Sequence, residues 1–157
     1  MTKATEKDAD REKLRRDGHL EGSVMSQMIL AMNLIVRPFI ETHAKTHDLP
    51  LPEWRVMMAL ANEPERSGED IARTLAVDRM GVSRALRRLE AKGRAQRRVS
   101  PQDRKRNLWT LTEEGWHLFD AIAVSAEARQ DEVLRGLTAT ERRTFLSVLE
   151  KVIEQAR

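Results

Sequence analysis

The sequence predicts a mainly α-helical chain carrying one small β hairpin. Three observations predict it. Apolar residues recur at three- and four-residue spacing through most of the chain. Glycine (7) and proline (5) are sparse and tyrosine is absent, which argues against an all-β fold. One stretch alone, 95–111, reads as two strands, joined by turn residues Ser100, Pro101, Gln102 and Asp103.

A chain of 157 residues is one domain by size, long enough to bury a core. The absence of cysteine excludes disulfides, thiolate metal sites and cysteine nucleophiles. The longest run without a charge, 22–36, is 15 residues and contains Ser, Gln and Asn, so no membrane span is expected. With a charged N-terminus and no signal peptide, a soluble cytoplasmic protein is expected.

Residues 1–22 hold six basic and six acidic side chains and little to bury, so they read as a charged, flexible arm. Residues 23–157 read as one domain. Its first helix, about 23–46, carries Met25, Met28, Ile29, Met32, Ile35, Val36, Phe39 and Ile40 as a stripe. Pro38 inside it predicts a kink or break near 34–37. His43 and His47 have the spacing of metal ligands on one helix face. With no further ligand nearby, they read as solvated residues at a helix end, and no metal is expected. Asp48, Pro50 and Pro52 mark a linker, and a second helix follows to about Ala61 with Trp54, Met57, Met58 and Leu60 apolar. Residues 62–66, with Pro64, break it.

Ser67 and Asp70 form an N-cap pair opening a helix with Ile71, Ala72 and Leu75 inward. A turn at Ala76, Val77 and Asp78 follows, and Asp78 caps the next helix. There Val82, Leu86 and Leu89 make an apolar back, leaving Ser83, Arg84, Arg87 and Arg88 on the other face. Residues 79–106 carry 11 Lys+Arg against two acids, a window of +9 in a chain of +3. Such concentration marks a polyanion partner. A fixed back and a basic front suit the major groove of double-stranded DNA. The hairpin after it bears Arg104, Lys105 and Arg106 at its tip, so 52–111 reads as a winged helix-turn-helix.

Thr112, Glu113 and Glu114 open a long helix to about Arg135, stopped by Gly136. Thr138 and Glu141 form a capping box for a last helix with Phe145, Val148, Leu149, Val152 and Ile153 on one face. Together with 23–46, these helices (113–157) offer more amphipathic surface than the core needs, which points to a subunit interface.

In LPEWRVMMAL (51–60), IARTLAVDRMGVSRALRRLEAKG (71–93) and DRKRNLWTLTEEG (103–115), the chain resembles the MarR family of bacterial transcription regulators. Asp103 keeps the family's eight-residue spacing to Leu111 and Thr112, while Lys105 stands where the family usually has arginine. The resemblance implies a homodimeric repressor on a pseudo-palindromic operator, released by a small aromatic or phenolic ligand. VRPFIETH and EWRVM are similar to the branch regulating aromatic-compound degradation. Ser83, Arg84 and Arg87 are the candidates for base edges, with Met80 for a thymine methyl. Arg88, Arg97 and Arg98 are candidates for phosphate, and Arg104, Lys105 and Arg106 for the wing. Arg37, His43, Trp54 and Arg55 form a cationic, aromatic set suited to a ligand carboxylate; the competing reading makes Trp54 core and the rest surface. Two other classes are open to such a chain: a winged helix that docks an acidic protein, and an enzyme. No cofactor is expected, and Ser83 has no histidine within helical reach to serve as a base.

Overall fold

Capping residues set where most of the helices begin. The computed structural model describes residues 23–157, so the predicted arm 1–22 lies outside the described residues. The chain divides into two compact units between Pro38 and Phe39. Helix α1 (Val24–Glu41) carries that boundary, and a short α2 (His43–Thr46) follows. The helix does not break at 34–37. It continues through Pro38, and the interruption falls at Thr42 (φ −112°, ψ −83°). Proline's fixed φ fits a helix, and one missing N–H removes a single intrahelical bond, which the turns on either side outweigh. Val24–Thr46 is long enough to cross a bilayer and contains an 18-residue stretch of mean hydropathy 1.2, although Arg37, Glu41 and Lys45 interrupt the segment.

The second unit holds the core. Helix α3 (Leu51–Asn62) has Pro52 in its first turn and buries Trp54, Val56, Met57 and Leu60. Strand β1 (Arg66–Ser67) leads directly into α4 (Gly68–Leu75), capped by Ser67 Oγ on the Asp70 N–H at 3.2 Å. Ala76 ends α4 in the left-handed region (φ 51°), a conformation that normally falls to glycine. Asp78 then caps α5 (Arg79–Ala91) by accepting from the Gly81 N–H at 2.6 Å. Val82, Ala85, Leu86 and Leu89 form the buried back of α5.

Strands β2 (Ala95–Val99) and β3 (Asn107–Leu111) pair antiparallel, with Arg97 opposite Trp109. The sheet has three strands in the order β1-β3-β2, because Arg66 and Ser67 pair with Trp109 and Leu108. Residues 62–66 are therefore not wholly a break: the last of them opens a strand. A two-residue strand has no period of its own and exists only through its partner. Helices α6 (Glu113–Leu134) and α7 (Ala139–Ala156) follow, capped by Thr112 and Thr138, the latter in a complete capping box.

The wing and α6 meet at a tight junction. Thr112 Oγ1 donates to the Gly93 carbonyl at 2.6 Å and accepts from the Gly115 N–H at 3.0 Å. Gly115 is buried, and a β-carbon there would overlap the Arg94 carbonyl oxygen. Glycine is required by proximity, not by dihedral. Gly115→Ala is expected to lower stability by about 1–3 kcal/mol in urea unfolding, despite alanine's better helix propensity. An unchanged or raised midpoint would show that the backbone yields at no cost.

Candidate nucleic-acid interface

Helix α5 can present one face because its other face is fixed. On the front, Arg84, Arg87 and Arg88 are exposed, Ser83 is half-buried, and Met80 is 66% exposed. The wing places Arg97, Arg98, Arg104, Lys105 and Arg106 in exposed positions on β2 and the loop beyond it. A groove of about 400 Å³ runs between α5 and the wing, lined by Ser83, Arg87, Arg97, Lys105 and Arg106.

The basic residues then separate into two sets. Among the described residues Arg84, Arg87, Arg104 and Lys105 have no acidic partner, and Arg94, which has none either, is held by backbone carbonyls. Others are engaged: Arg79 with Glu69 (2.9 Å), Arg97 with Glu90 (3.1 Å) and Arg98 with Glu65 (2.7 Å). Arg97 also lies 5.8 Å from the centre of the Trp109 ring. Arg106 Nη2 donates to Ser67 Oγ and to Asp70 Oδ2, both at 2.8 Å. Five acids from outside the basic window (Asp48, Glu53, Glu65, Glu69, Asp70) thus stand against it. Its +9 in the sequence overstates what a partner meets.

Beneath α5 lies a carboxylate that the sequence reading passed over. Glu53 is fully buried, and Oε2 accepts from Lys92 Nζ at 3.0 Å. Oε1 has no hydrogen-bond partner among the described residues, and Arg88 Nη1 is 3.8 Å away. Lys92 also donates to the Asp48 carbonyl at 2.5 Å, while Arg94 donates to the carbonyls of His47 (2.7 Å) and Asp48 (3.1 Å). The end of α5 is thereby pinned to the turn before α3. A signal for Glu53 was available: 53, 56, 57 and 60 share one helical face with three buried apolar residues.

Three of the expected ligand contacts lie in the second unit. Trp54 is 6% exposed and stacks between Phe39 (5.7 Å) and Phe119 (5.2 Å), so it is core. His43 Nε2 lies 2.7 Å from Ser125 Oγ, which gives its own proton to the Ile122 carbonyl at 2.8 Å. Nε2 is therefore the donor. The His43 and His47 rings stack at 5.9 Å. Arg55 lies elsewhere, in a cleft of about 280 Å³ that it lines with Glu53, Arg84 and Arg88. Arg37 is exposed on α1.

Comparison with known proteins adds to this geometry. The sequence profile of the MarR family matches residues 47–106. The HTH-type transcriptional repressor Rv2887 of Mycobacterium tuberculosis is 27% identical over 135 residues, 86% of this chain and 97% of that one. The HTH-type transcriptional regulator YdgJ of Bacillus subtilis is 30% identical over 97 residues, 62% of this chain; the match spans 59% of YdgJ. Among solved structures, that of Bordetella bronchiseptica BpsR, whose DNA binding is regulated by 6-hydroxynicotinic acid, has a TM-score of 0.75 at 26% identity. The likeness covers 85% of this chain and 95% of BpsR.

The acid network at the α4 cap has a pH signature. Hydrogen bonding from Ser67, with the Arg106 and Arg73 guanidiniums beside it, holds the Asp70 carboxyl below its ordinary value of 3.8. The folded chain therefore binds fewer protons there than the unfolded chain. Asp70's contribution is complete above its unfolded value and is lost as pH falls through the lower folded one. In urea unfolding between about pH 6 and pH 2, the parent is expected to weaken more steeply below about pH 4 than Asp70→Asn does. Parallel acid limbs would remove Asp70 from the balance.

Proposed function

The chain belongs to the MarR family of winged helix-turn-helix transcription regulators, and from that premise we propose that it is a homodimeric, ligand-responsive repressor of a pseudo-palindromic operator. The observation that carries this reading is the set of four cations, Arg84, Arg87, Arg104 and Lys105, whose side chains the fold leaves with neither an acid nor a carbonyl partner among the described residues while neutralising their neighbours. Helix α5 enters the major groove. Ser83, Arg84 and Arg87 meet base edges and Met80 a thymine methyl. Arg88, Arg97 and Arg98 exchange their carboxylates for phosphates, and Arg104 and Lys105 lie along the backbone or in the minor groove.

Two copies are needed because one helix reads too few base pairs for a specific site. Exposed apolar side chains support the dimer: Met25, Ile29 and Met32 on α1, and Phe145, Val148, Val152 and Ile153 on α7. By the two-fold rule, half-sites lie about one helical turn, roughly 34–36 Å, apart. The same exposed helix α1 accounts for its hydropathy without a membrane.

The effector in this reading is a single-ring hydroxylated aromatic acid, the chemical class of the ligand that regulates BpsR. Trp54 and His43 are occupied within the fold, so Arg55 is the expected contact best placed to receive the carboxylate. A carboxylate in its cleft would sit against Arg84 and Arg88 and offset the charge that α5 offers to DNA.

Arg84→Ala is expected to cost about 1–3 kcal/mol on the operator and to relax specificity at one base pair. Arg104→Ala should weaken all sequences alike and flatten the salt dependence by about one unit. Moving the half-sites about five base pairs further apart should abolish tight binding, since it puts them on opposite sides of the duplex. Fluorescence anisotropy across a salt series measures all three, and parental behaviour in both variants would put the DNA-facing surface elsewhere. For the effector, a hydroxylated aromatic acid that raises Tm should also release operator DNA, and Arg55→Ala should blunt both effects. Stabilisation with operator affinity unchanged would count against release by ligand.

A further inference from the structure

The wing loop 100–106 is closed by its own backbone: Ser100 N–H donates to the Arg106 carbonyl at 2.8 Å and Arg106 N–H to the Asp103 carbonyl at 2.9 Å. Its remaining side-chain bonds are local, from Gln102, Asp103 and Lys105 N–H groups and the Ser100 hydroxyl to side chains within the loop. Arg106 is the exception. Among the described residues, its two bonds to Ser67 and Asp70 are the only side-chain hydrogen bonds that leave this loop. They reach across 39 and 36 residues of sequence to the N-cap of α4.

The acceptor is itself organised. Ser67 Oγ donates to Asp70 Oδ2 at 2.6 Å, and Asp70 Oδ1 is held by Arg73 Nη2 at 2.5 Å. Ser67 also belongs to β1, where it pairs with Leu108, two residues beyond Arg106 on the chain. Backbone pairing and the guanidinium bonds thus fix the same short segment twice. The neighbours on its N-terminal side, Arg104 and Lys105, are the partnerless cations of the wing. Without Arg106's side-chain bonds the loop would keep its turn but lose its bearing on α4.

We propose that Arg106 is a positioning residue for the wing rather than a DNA contact: its guanidinium, latched on Ser67 and Asp70, sets where Arg104 and Lys105 are carried relative to the recognition helix. The latch rests on the reading of the wing as a DNA-facing element, but it makes a claim of opposite sign to simple electrostatics. Removing the acid Asp70 raises net charge by one, which by charge alone favours DNA. Removing it from a latch weakens binding.

The test compares Arg106→Ala, Asp70→Asn and the double variant in the full chain, by operator anisotropy over a salt series and by hydrogen exchange. Each single variant should weaken the operator complex about tenfold, the scale of one charge-assisted hydrogen bond. The Arg106→Ala salt slope should match the parent, unlike that of Arg104→Ala, and the double variant should be no weaker than the weaker single. Amides of 100–106 should exchange faster in both singles without DNA, a readout that stands even if the chain binds no operator. A salt slope flattened by about one in Arg106→Ala would overturn the proposal, since Arg106 would then neutralise a phosphate itself. So would operator binding by Asp70→Asn at or above parental strength, or unchanged exchange of the loop. Should Asp70→Asn fail to fold, the slope and loop exchange of Arg106→Ala decide the matter alone.

Discussion

A helix can offer a charged front to a partner only if something holds its back, and here the anchorage of α5 is the constraint on which the rest depends. Val82, Ala85, Leu86 and Leu89 are buried against the core that α3 and α4 supply. Burial of apolar side chains of this size stabilises by about 1.5–3 kcal/mol each for the larger ones, ample to fix rotation about the helix axis. Hydrophobic contact is non-directional, however, and leaves the helix free to slide. The polar clamp at its end supplies the missing direction. Lys92 and Arg94 converge on the carbonyls at His47 and Asp48, and Lys92 meets buried Glu53. Register comes from the clamp, and orientation from the apolar back.

Electrostatics is partitioned in the same way. The fold sets acids from α3, α4 and the segment before β1 beside individual arginines, and it spares Arg84, Arg87, Arg104 and Lys105. Exposed pairs of this kind add little to stability, about 0–1 kcal/mol. Their consequence lies in the field. A cation already facing a carboxylate attracts a phosphate less, and the remaining potential is focused where partnerless side chains stand. Glu53 differs from the others because it is fully buried. Its place beneath Arg88 and Lys92 is where one substitution would change both charge and packing at once.

What was legible in the sequence was what is local. Ser67, Asp78, Thr112 and Thr138 each cap a helix through a bond made three residues away, and three-residue patterns survive in a linear reading. The buried back of α5 was readable for the same reason. Strand β1 was not, since its two residues acquire a conformation only from β3, more than forty positions on. Nor were the ion pairs: Arg106 to Asp70, Lys92 to Glu53 and Arg98 to Glu65 join residues 33–39 apart. A linear window counts such cations as available, and only the fold tells which ones are already engaged. The place of Trp54 in the core was hidden for the same reason: its burial depends on Phe39 and Phe119, which sequence spacing does not bring together.

This selective pairing bears on how such a surface discriminates. Non-specific affinity for a duplex grows with every phosphate a free cation neutralises, and it competes with the operator at every site in a genome. An arginine that must give up a carboxylate to take a phosphate gains little from an arbitrary encounter, because one ion pair replaces another. It gains more when the whole surface is in register and the exchange occurs in a drier, better-aligned contact. If the proposed contacts are made, the internal partners of Arg88, Arg97 and Arg98 would lower the affinity for random sequence more than the affinity for the correct one. Under the proposed reading Glu53, Glu65 and Glu90 would belong to the recognition surface, although none of them need touch DNA.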